Sequence, residues 1–420
     1  MEKLDILVVG GGGREHAVCA ALRKSEKCGR LYCAPGNGGI SEIAECVPVK
    51  ATDLDGIVAA AKNKKVSLVF VTPDDPLVMG LCDRLAAEGI SSFGPMAAAA
   101  RIEGSKVFSK QLMKRYGIPT ASYEVFDDPE AALGFIKTRG EYPTVIKADG
   151  LALGKGVIIA EDYAAAENGI KQIMTDKIFG ASGDRVVIEE FLTGPEVSVL
   201  AFCDGRTIKP MASAQDHKRA YDYDKGPNTG GMGAFSPSNK YTDEIADICM
   251  NTIFIPTVNA MIAEGCPFRG VIYFGLMLTP KGPRVIEYNA RFGDPETQVV
   301  LPRMKTDLID IVLAVNSGTL DKLEIEFSAD ACACVVAASG GYPVKYEKGF
   351  EISGIDKVNG AVVYHAGTTK TGDKYYTSGG RVLCVSALAP TLDEAVKKAY
   401  EELKKISFEK MHYRTDIGKK

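Results

Sequence analysis

Residues 284–298, RVIEYNARFGDPETQ, place an acid, an amide and a guanidinium at alternate positions of an otherwise apolar segment. Because side chains alternate along a strand, we expect Glu287, Asn289 and Arg291 to share one face. The opposite face is expected to be apolar and consists of Ile286, Tyr288 and Ala290. Carboxylate and amide oxygens suit a hard divalent cation, and a guanidinium stabilises charge on a transferring phosphoryl group. The row therefore predicts a metal-assisted phosphoryl-transfer site in a cleft, and its apolar flanks argue against a surface ladder of salt bridges.

GGGGREH, residues 10–16, follows an apolar strand and opens a helix. Backbone N–H groups and the positive end of a helix dipole make such a position an anion site. A dinucleotide fingerprint does not fit, because its third glycine falls on Glu15 and the second strand ends in APGN, without an acid for a ribose diol. We therefore predict that the loop binds a single phosphate. The alternative is a tight turn that needs glycine only for steric reasons.

VIKADGLALGKGV, residues 145–157, joins a strand lysine, Lys147, to a glycine-rich loop that carries Lys155. Glycines let backbone amides approach phosphate closely and lysine supplies a point charge, so the segment predicts a phosphate-binding loop. It is not a P-loop, because Gly156 stands where that motif needs serine or threonine. The alternative is a hairpin turn with a solvated lysine.

VVIEEFLTGPE, residues 186–196, is an apolar strand that ends in two neighbouring acids. Such acids are usually solvated, but they can also accept hydrogen bonds from an adenine amine or a ribose diol. The backbone of residues 190–192 is a candidate purine hinge.

AQDHKRAYDYDKGPNTGGMGAFSP, residues 214–237, is predicted to be a long loop, and loops of this length in compact proteins are often functional. Asp216, Lys218 and Arg219 offer charges of both signs, which suits a small zwitterion. The neighbouring aspartate and histidine do not indicate nucleophilic catalysis, because no serine or cysteine elbow accompanies them.

The elements around these motifs indicate an α/β protein. The first hundred residues alternate apolar strands with helices, which predicts a parallel sheet with right-handed crossovers. Ligands bind such sheets at the carboxyl ends of the strands, which here read GGGGREH, APGNGG and TPDDP. A helix follows Ser105, and a smaller unit then extends to about residue 192. Strands with long polar loops come next, and a C-terminal unit follows them.

The composition is that of an ordinary globular protein, with 420 residues, 46% apolar and 25% charged. A formal net charge of -4 argues against a general nucleic-acid or anionic-membrane surface. No apolar run reaches the roughly 20 residues that span a bilayer, and the N-terminus lacks the features of a signal peptide. Eleven scattered cysteines indicate reduced thiols in a cytosolic protein, and their spacing argues against a structural zinc site.

Lys106, Lys147, a glycine loop, EEFL and EYNAR occur in an order that resembles the ATP-grasp superfamily. The segments GGGGREH, APGNGG, AQDHKRA, GPNTGGMGA and NARFGDPETQ narrow the match. With them, the chain resembles the phosphoribosylamine–glycine ligase family, also called glycinamide ribonucleotide synthetases. The resemblance runs nearly end to end, and it includes GGRVLCVSALAPTLDEA and YRTDIG near the C-terminus.

The resemblance implies an α/β fold with an N-terminal parallel-sheet (pre-ATP-grasp) domain, an ATP-grasp lid, a central α+β domain and a small C-terminal domain. The expected bounds are 1–103 for the N-terminal domain, 104–120 and 193–328 for the central domain, 121–192 for the lid and 329–420 for the C-terminal domain. The implied reaction is ATP-dependent ligation of glycine to 5-phosphoribosylamine through a glycyl phosphate. Its products are glycinamide ribonucleotide, ADP and phosphate, in de novo purine biosynthesis.

The same resemblance implies a role for each candidate residue. Arg291, Lys147 and Asp216 are expected to be catalytic, and Glu287 and Asn289 to bind Mg²⁺ or Mn²⁺. The expected ATP contacts are Lys106, Lys147, Gly154, Lys155, Gly156, Glu189, Glu190, Phe191, Leu192 and Glu196. The expected contacts to glycine and phosphoribosylamine are Gly10, Gly11, Gly12, Gly13, Arg14, Asn37, Asp74, Asp75, Asp216, Lys218, Arg219, Asp294 and Glu296.

Two features depart from the family pattern. Residues 71–76 read VTPDDP where the family usually has Gly-Pro-Glu, so Thr72 and Asp74 are expected to alter the ribosylamine contacts. The strand GVIYFGLML lacks the acid that many ATP-grasp enzymes carry before the Glu-x-Asn strand. We therefore expect fewer protein ligands to the metal, and more water or phosphate.

The alternative function is another ATP-grasp carboxylate–amine ligase or carboxylase, against which the loop at 214–237 argues. The broken glycine fingerprint disfavours a nicotinamide-dependent oxidoreductase, and the intact acid–amide–guanidinium row disfavours a catalytically silent nucleotide-binding regulator. We expect a cytoplasmic monomer that binds small-molecule substrates, and neither nucleic acid nor membrane.

Overall fold

The computed structural model describes residues 3–152 and 156–419. Its N-terminal unit is built from β1 Leu4–Gly10, α1 Gly13–Arg23, β2 Cys28–Pro35, β3 Glu45–Cys46, α2 Leu54–Lys64, β4 Leu68–Val71, α3 Asp74–Val78, α4 Leu81–Ala87, β5 Ser92–Phe93 and α5 Ala97–Gly104. The five strands form a parallel sheet in the order β3-β2-β1-β4-β5, which confirms the predicted sheet.

The apolar run of β1 lies at the centre of this sheet, and its side chains are buried on both faces, as in other parallel sheets. The carboxyl ends of β1, β2 and β4 meet at one edge. Gly36 N donates to Gly10 O at 3.0 Å, and the Thr72 hydroxyl donates to Val9 O. These bonds hold the three strand-end motifs of the sequence next to one another.

A smaller antiparallel sheet forms the lid unit. After α6 Lys106–Arg115, its elements are β6 Tyr123–Phe126, α7 Pro129–Arg139, β7 Thr144–Ala148, β8 Val157–Ala160, α8 Tyr163–Ile170 and β9 Val186–Glu190. The strand order is β6-β9-β7-β8. The lid has an apolar core of its own, formed by one face of the sheet and the two helices. Gly154 and Lys155, between β7 and β8, lie outside the described residues.

The central part contains β10 Glu196–Asp204, β11 Ile208–Pro210, β12 Gln215–Asp216, β13 Arg219–Tyr221, β14 Lys225–Asn228, β15 Gly233–Ser236, α9 Asp243–Cys249, α10 Ile255–Ala263, β16 Arg269–Thr279, β17 Gly282–Asn289, α11 Thr297–Val300 and α12 Leu308–Ser317. Four strands form an antiparallel sheet in the order β11-β10-β16-β17. β13 and β14 form a separate hairpin within the predicted long loop. Apolar cores are shared between this sheet and the N-terminal unit.

The C-terminal unit contains β18 Ala331–Ser339, β19 Glu351–Ile352, β20 Val362–His365, β21 Thr368–Thr371, β22 Lys374–Thr377, β23 Arg381–Ala389, α13 Leu392–Leu403 and β24 Met411–His412. Its main sheet runs β12-β15-β18-β23-β20, so two strands from the long loop extend it across the expected boundary at 328. The long loop is therefore fixed between two units of the protein.

A π-helical turn, Met250–Phe254, joins α9 and α10 into one helical run, Asp243–Ala263. Within the described ranges this is the one helix that is long and apolar enough, by length and composition, to cross a membrane. Its inward side chains, among them Ile253 and Phe254, belong to an apolar core, as in a core helix.

Candidate active site

A cavity of about 930 Å³ lies where the lid, the central sheet, the N-terminal unit and the β13–β14 hairpin meet. It is lined by most of the residues predicted to do chemistry: Arg14, Asp74, Lys106, Lys147, Gly156, Glu189, Glu190, Phe191, Leu192, Glu196, Asp216, Lys218, Arg219, Glu287, Asn289, Arg291, Asp294 and Glu296. Among the predicted residues that the structure describes, those that do not line it are Gly10, Gly11, Gly12, Gly13, Asn37 and Asp75. Its volume is within the usual range for ligand sites.

β17 carries the acid–amide–guanidinium row to this cavity, but it contains a bulge that the sequence did not predict. The register shifts between Gly275 and Leu276 of β16, which leaves Ile286 as an extra residue. Tyr288 and Ala290 are buried in the core as predicted. Ile286 is instead only half-buried and lies outside the apolar cores, so its predicted place with the core-facing residues is wrong.

Glu287 and Asn289 bring two oxygen-bearing side chains to the cavity. Burial alone would raise the pKa of the Glu287 carboxyl, but ammonium groups, led by those of Lys218 and Lys147, hold that pKa below its usual range. Asn289 Oδ1 accepts a hydrogen bond from Arg291 Nη2 at 2.9 Å. Across residues 3–152 and 156–419, no group of three or more His, Cys, Asp or Glu side chains is placed to hold a metal. A cation held by an ionised carboxylate and an amide would take its other ligands from phosphate and water, and these two residues fit that donor set.

Arg291 is oriented by an acid that sequence reasoning missed. Its Nη2 lies 2.9 Å from Glu103 Oε1, and Glu103 Oε2 accepts a hydrogen bond from Ala290 N at 2.7 Å. Burial raises the pKa of Glu103 to about 7, although Arg291 lowers it. Asp74, from the turn that departs from the family pattern, lies 3.9 Å from the same guanidinium. Arg291 Nε is buried without a hydrogen-bond partner among the described residues.

Lys147 takes part in a buried charge cluster with Glu189 and Lys110. Lys147 Nζ lies 2.9 Å from Glu189 Oε1, and Lys110 Nζ lies 2.9 Å from Glu189 Oε2. Lys147 also donates to the carbonyl of the bulge residue Ile286 at 3.0 Å, which ties the lid to β17. Burial would raise the pKa of Glu189, but the two lysines lower it. Glu189 therefore acts as the countercharge of the two lysines, and its predicted contact to ATP stays a prediction.

Lys106 is the first residue of α6, next to the lid. The helix begins at Ser105, whose hydroxyl accepts a hydrogen bond from Phe108 N at 3.1 Å and donates to Asp149 Oδ1 at 2.9 Å. Lys106 Nζ donates to Gly150 O at 2.9 Å. Burial lowers the pKa of Lys106, although Glu287 raises it. The ammonium group is thus held at the cavity beside the glycine-rich loop.

The predicted purine hinge follows β9. The Glu190 carboxylate accepts a hydrogen bond from Ser122 N at 2.9 Å, and Glu190 N donates to Ser122 O at 3.0 Å. This pair fixes the end of the strand. Phe191 and Leu192 come directly after it, outside the ladder, and line the cavity.

Carboxylates surround Lys218 on the opposite side. Lys218 Nζ lies 3.2 Å from Glu196 Oε2 and 3.9 Å from Glu287 Oε1, and these acids raise the pKa of the lysine. Burial raises the pKa of Asp216 to about 7; Lys218 opposes the shift and Glu296 adds to it. The pKa of the Asp216 carboxyl therefore lies near neutral pH.

A buried hydroxyl pair orients Glu296. Ser198 Oγ and Tyr273 OH lie 2.8 Å apart, and each donates to Glu296 Oε1 at 3.1 Å. Both hydroxyls come from apolar strands, β10 and β16. Sequence reasoning did not identify them, although a tyrosine within GVIYFGLML is a detectable signal because a buried phenol needs a partner.

Two arginines from opposite ends of the chain hold Asp294. Arg381 Nη1 lies 3.3 Å from Asp294 Oδ1 and donates to Gly230 O at 2.8 Å, and Arg14 N donates to Asp294 Oδ2 at 3.4 Å. Burial would raise the pKa of Asp294, but Arg381 and Arg14 lower it. Arg381 was also missed; its signal is a charged residue at the start of the apolar strand β23. With Arg291, these arginines bring three guanidinium groups to this part of the cavity, each paired with a carboxylate.

The glycine loop, residues 10–13, packs closely against its neighbours. A Cβ on Gly11 would lie 2.5 Å from Gly36 O, and a Cβ on Gly12 would lie 2.7 Å from Glu15 Oε2. Gly12 N donates to that same carboxylate at 2.5 Å. The steric explanation for the glycines therefore has direct support, and the phosphate site stays a prediction.

Asn37 ties the N-terminal unit to the C-terminal unit. Its amide donates to Gly11 O at 2.9 Å and to His365 O at 2.8 Å, and its oxygen accepts from Gly39 N and Ile40 N, each at 2.9 Å. The side chain has protein partners at both ends, and its predicted contact to the sugar phosphate is untested.

Comparisons with known proteins agree along the whole chain. Three family models described as phosphoribosylglycinamide synthetase match the chain. The N-domain model matches residues 4–103, the ATP-grasp (A) domain model residues 104–297 and the C-domain model residues 332–420. The phosphoribosylamine--glycine ligase of Caulobacter vibrioides is 51% identical over 422 residues, covering 100% of this chain and 98% of that one. The enzyme of the same name from Halalkalibacterium halodurans is 48% identical over 418 residues, covering 99% and 97%. The crystal structure of phosphoribosylamine--glycine ligase from Thermotoga maritima superposes with a TM-score of 0.87 at 35% identity, covering 99% of this chain and 100% of that one.

Proposed function

We propose, on the premise that the chain belongs to the phosphoribosylglycinamide synthetase family, that its central cavity holds ATP, glycine and phosphoribosylamine together. The chain is an ATP-dependent ligase that joins glycine to phosphoribosylamine in purine biosynthesis. The observation that carries the assignment of the site is the placement of Glu287, Asn289 and Arg291 on the same cavity as Lys106 and Lys147.

The reaction needs glycine to be activated, because a carboxylate is a poor acyl donor. In the proposed first step, a glycine carboxylate oxygen attacks the γ-phosphorus of ATP, the bond to the β–γ bridging oxygen breaks, and ADP leaves. In the second, the amine nitrogen of phosphoribosylamine attacks the acyl carbon of glycyl phosphate, phosphate leaves, and the nitrogen loses a proton. ATP and glycine are both anionic at the reacting atoms, so the site must offset their repulsion.

Cations at the lid end are suited to the ATP phosphates. Lys106 and Lys147 reach the cavity from two different units of the protein, with Gly156 beside them. The trio of Lys147, Glu189 and Lys110 has one more positive than negative group, which phosphate would balance. Residues 190–192 and Glu196 would hold adenosine at the end of β9.

Glu287 and Asn289 would hold a hard divalent cation, Mg²⁺ or Mn²⁺. The lowered pKa of Glu287 supports this role, because the carboxylate is ionised at neutral pH and lines the cavity with the lysines. A bound cation would supply charge stabilisation to the phosphoryl oxygens. Arg291, held by Glu103, would stabilise the acyl phosphate from the same side.

Asp216 would accept the proton that the amine loses. Its pKa of about 7 matches the task, since a general base works best with a pKa near the operating pH. Lys218, Arg219 and Glu296 lie around it and provide the charges that a small zwitterion needs. Arg14, Asp74 and Asp294 would form the end nearest the sugar phosphate, with residues 10–13 and Asn37 behind it.

We also propose a cytoplasmic monomer. All eleven cysteines are free and ten of them are buried, which fits a reducing compartment. The net charge of -4 supports small-molecule partners over nucleic acid.

Release of phosphate from ATP tests this proposal. Phosphate should appear only when the divalent cation, glycine and freshly prepared phosphoribosylamine are all present, and glycinamide ribonucleotide should form in equal amount. The matched control replaces glycine with bicarbonate. Phosphate release with bicarbonate and without glycine would instead indicate an ATP-grasp carboxylase.

A further inference from the structure

The segment YRTDIG, Tyr413–Gly418, lies far along the chain from the cavity but packs directly against the β13–β14 hairpin. Arg414 is completely buried. Its Nε and Nη2 each lie 2.7 Å from an oxygen of Asp416, the bidentate geometry of a strong arginine–carboxylate pair. Its remaining nitrogen, Nη1, donates to Arg219 O at 3.1 Å and to Asp224 Oδ1 at 3.0 Å. One guanidinium therefore connects the C-terminal segment to the first residue of β13 and to the turn between β13 and β14.

Further hydrogen bonds connect the same two segments. Thr415 N donates to Asp222 Oδ1 at 2.7 Å, and the Thr415 hydroxyl donates to the other oxygen of that carboxylate. Tyr223 N donates to Asp416 Oδ2 at 2.8 Å. With the bonds of Arg414, consecutive residues of the turn are held by groups of the C-terminal segment.

The turn adopts a backbone conformation that is unfavourable without such bonds. Tyr223 and Asp224 have φ values of 59° and 54°, the left-handed region that residues other than glycine rarely occupy. The Tyr223 side chain is 82% exposed, so its own packing does not impose this conformation. Such a conformation persists where the surroundings determine it, and here the surroundings are Arg414, Thr415 and Asp416.

The hairpin in turn positions groups in the cavity. Arg219, Asp224 and Asn228 line it, and both the amide and the hydroxyl of Thr229 donate to Lys218 O at 2.8 Å. Thr229, directly after β14, thus fixes the backbone of Lys218, directly before β13.

The C-terminal segment is also fixed on its other side. Tyr400 of α13 donates its hydroxyl hydrogen to Arg414 O at 2.8 Å and accepts from Ile417 N at 3.0 Å. Ile417 is fully buried in the core of the C-terminal unit. The segment therefore links that core to the hairpin.

We propose that Arg414 is a positioning residue, which holds the β13–β14 hairpin so that Lys218 and Arg219 are placed for glycine. The part that concerns glycine rests on the proposed function. The part that concerns the hairpin rests on the contacts alone. Arg414 itself touches no substrate, so its effect must pass through the hairpin.

Arg414→Lys tests the proposal, because lysine keeps the charge but lacks the planar fork that reaches Asp416 and Asp224 together. The matched control is Arg303→Lys. Arg303 is also buried and donates three hydrogen bonds, to Asp330 O, Ser236 Oγ and Ser328 O, without contacting the hairpin. Three quantities are measured in both variants: hydrogen–deuterium exchange of residues 219–229, KM for glycine and KM for ATP.

We expect Arg414→Lys to exchange the hairpin amides about tenfold faster and to raise KM for glycine by a similar factor, with a much smaller change in KM for ATP. Arg303→Lys should change neither quantity. Thr415→Val, which removes one exposed hydroxyl, provides a milder variant that should fold and should speed exchange in the same segment. Unchanged exchange in Arg414→Lys, or faster exchange with an unchanged KM for glycine, would overturn the positioning role. A wild-type protein that does not use glycine would overturn the proposed function, and the exchange result would still decide whether Arg414 holds the hairpin.

Discussion

Lys147 and Glu189 form a buried ion pair between two strands of the lid, with 2.9 Å between Lys147 Nζ and Glu189 Oε1. The same carboxylate meets Lys110 at 2.9 Å, so one negative charge serves two buried ammonium groups. Burial lowers the pKa of Lys110 to about 8, although Glu189 raises it. The pair therefore orients Lys147, and the cluster has one more positive than negative group, which the proposed ATP phosphates would balance.

Glu189→Gln should destabilise the protein strongly, because it leaves two buried lysines without a countercharge. We expect the free energy of unfolding in urea to fall by about 3 kcal/mol, the range for breaking a buried ion pair by removing one partner. The same substitution in the exposed Glu45–Lys64 pair is the control and should change stability by less than about 1 kcal/mol. ATP should restore part of the lost stability if its phosphates reach the lysines. An effect no larger than that of Glu45→Gln would show that the cluster does not need its carboxylate.

Glu287→Gln should abolish turnover and leave the fold intact. The carboxamide keeps the shape but removes the charge that a divalent cation needs, and we expect kcat/KM to fall by at least about 100-fold. Glu287 is partly exposed and Lys218 keeps Glu196 as a partner, so the free energy of unfolding should change by less than about 1 kcal/mol. Calorimetric titration with Mg²⁺ or Mn²⁺ in the presence of ADP measures the metal directly. A large loss of stability with cation binding retained would contradict the metal role.

The parts of the molecule that the sequence predicted are those that local patterns determine. The parallel sheet follows from alternating apolar strands and helices, and the row on β17 follows from a period of two. The bulge at Ile286 could not be predicted, because it depends on the pairing of β17 with β16.

The residues that sequence reasoning missed are those that tertiary structure brings to the site. Glu103 lies in the last turn of α5 in the N-terminal unit and reaches Arg291 only because the two units share a core. Arg381 reaches Asp294 from the C-terminal unit in the same way. Glu103 belongs to none of the motifs, and Arg381 lies within GGRVLCVSALAPTLDEA, which indicated the family but not a contact to Asp294, so only the folded chain shows where these two residues lie in the cavity.

We expect Asp216 to make kcat/KM rise with pH and to make the free energy of unfolding fall with pH. If Asp216 is the base, kcat/KM for phosphoribosylamine should rise with pH through about 7. In Asp216→Asn this rise should be absent. For stability, the pKa of this carboxyl is raised on folding, so between pH 3.8 and about 7 the folded state binds more protons than the unfolded state. The contribution of Asp216 to stability therefore falls as pH rises through this range.

Urea unfolding of wild type and Asp216→Asn at several pH values measures the second effect. The stability of the variant relative to wild type should increase from pH 4 towards pH 7 and then level off. If the difference in unfolding free energy between variant and wild type is constant with pH, the Asp216 carboxyl has an ordinary pKa. If kcat/KM of Asp216→Asn still rises with pH through about 7, Asp216 is not the base.

Gly12→Val should weaken phosphoribosylamine binding with little effect on ATP. The new side chain would meet Glu15 Oε2, because a Cβ at this position lies 2.7 Å from that oxygen. Glu15 also pairs with Arg14 Nε at 2.6 Å, so its displacement would disturb an arginine that lines the cavity. We expect KM for phosphoribosylamine to rise about tenfold and KM for ATP to change far less, since the lysines proposed to bind ATP lie on other units. Gly134→Val is the matched control, because a Cβ there meets nothing within 4 Å. Equal loss of both affinities would place the sugar-phosphate site away from this loop.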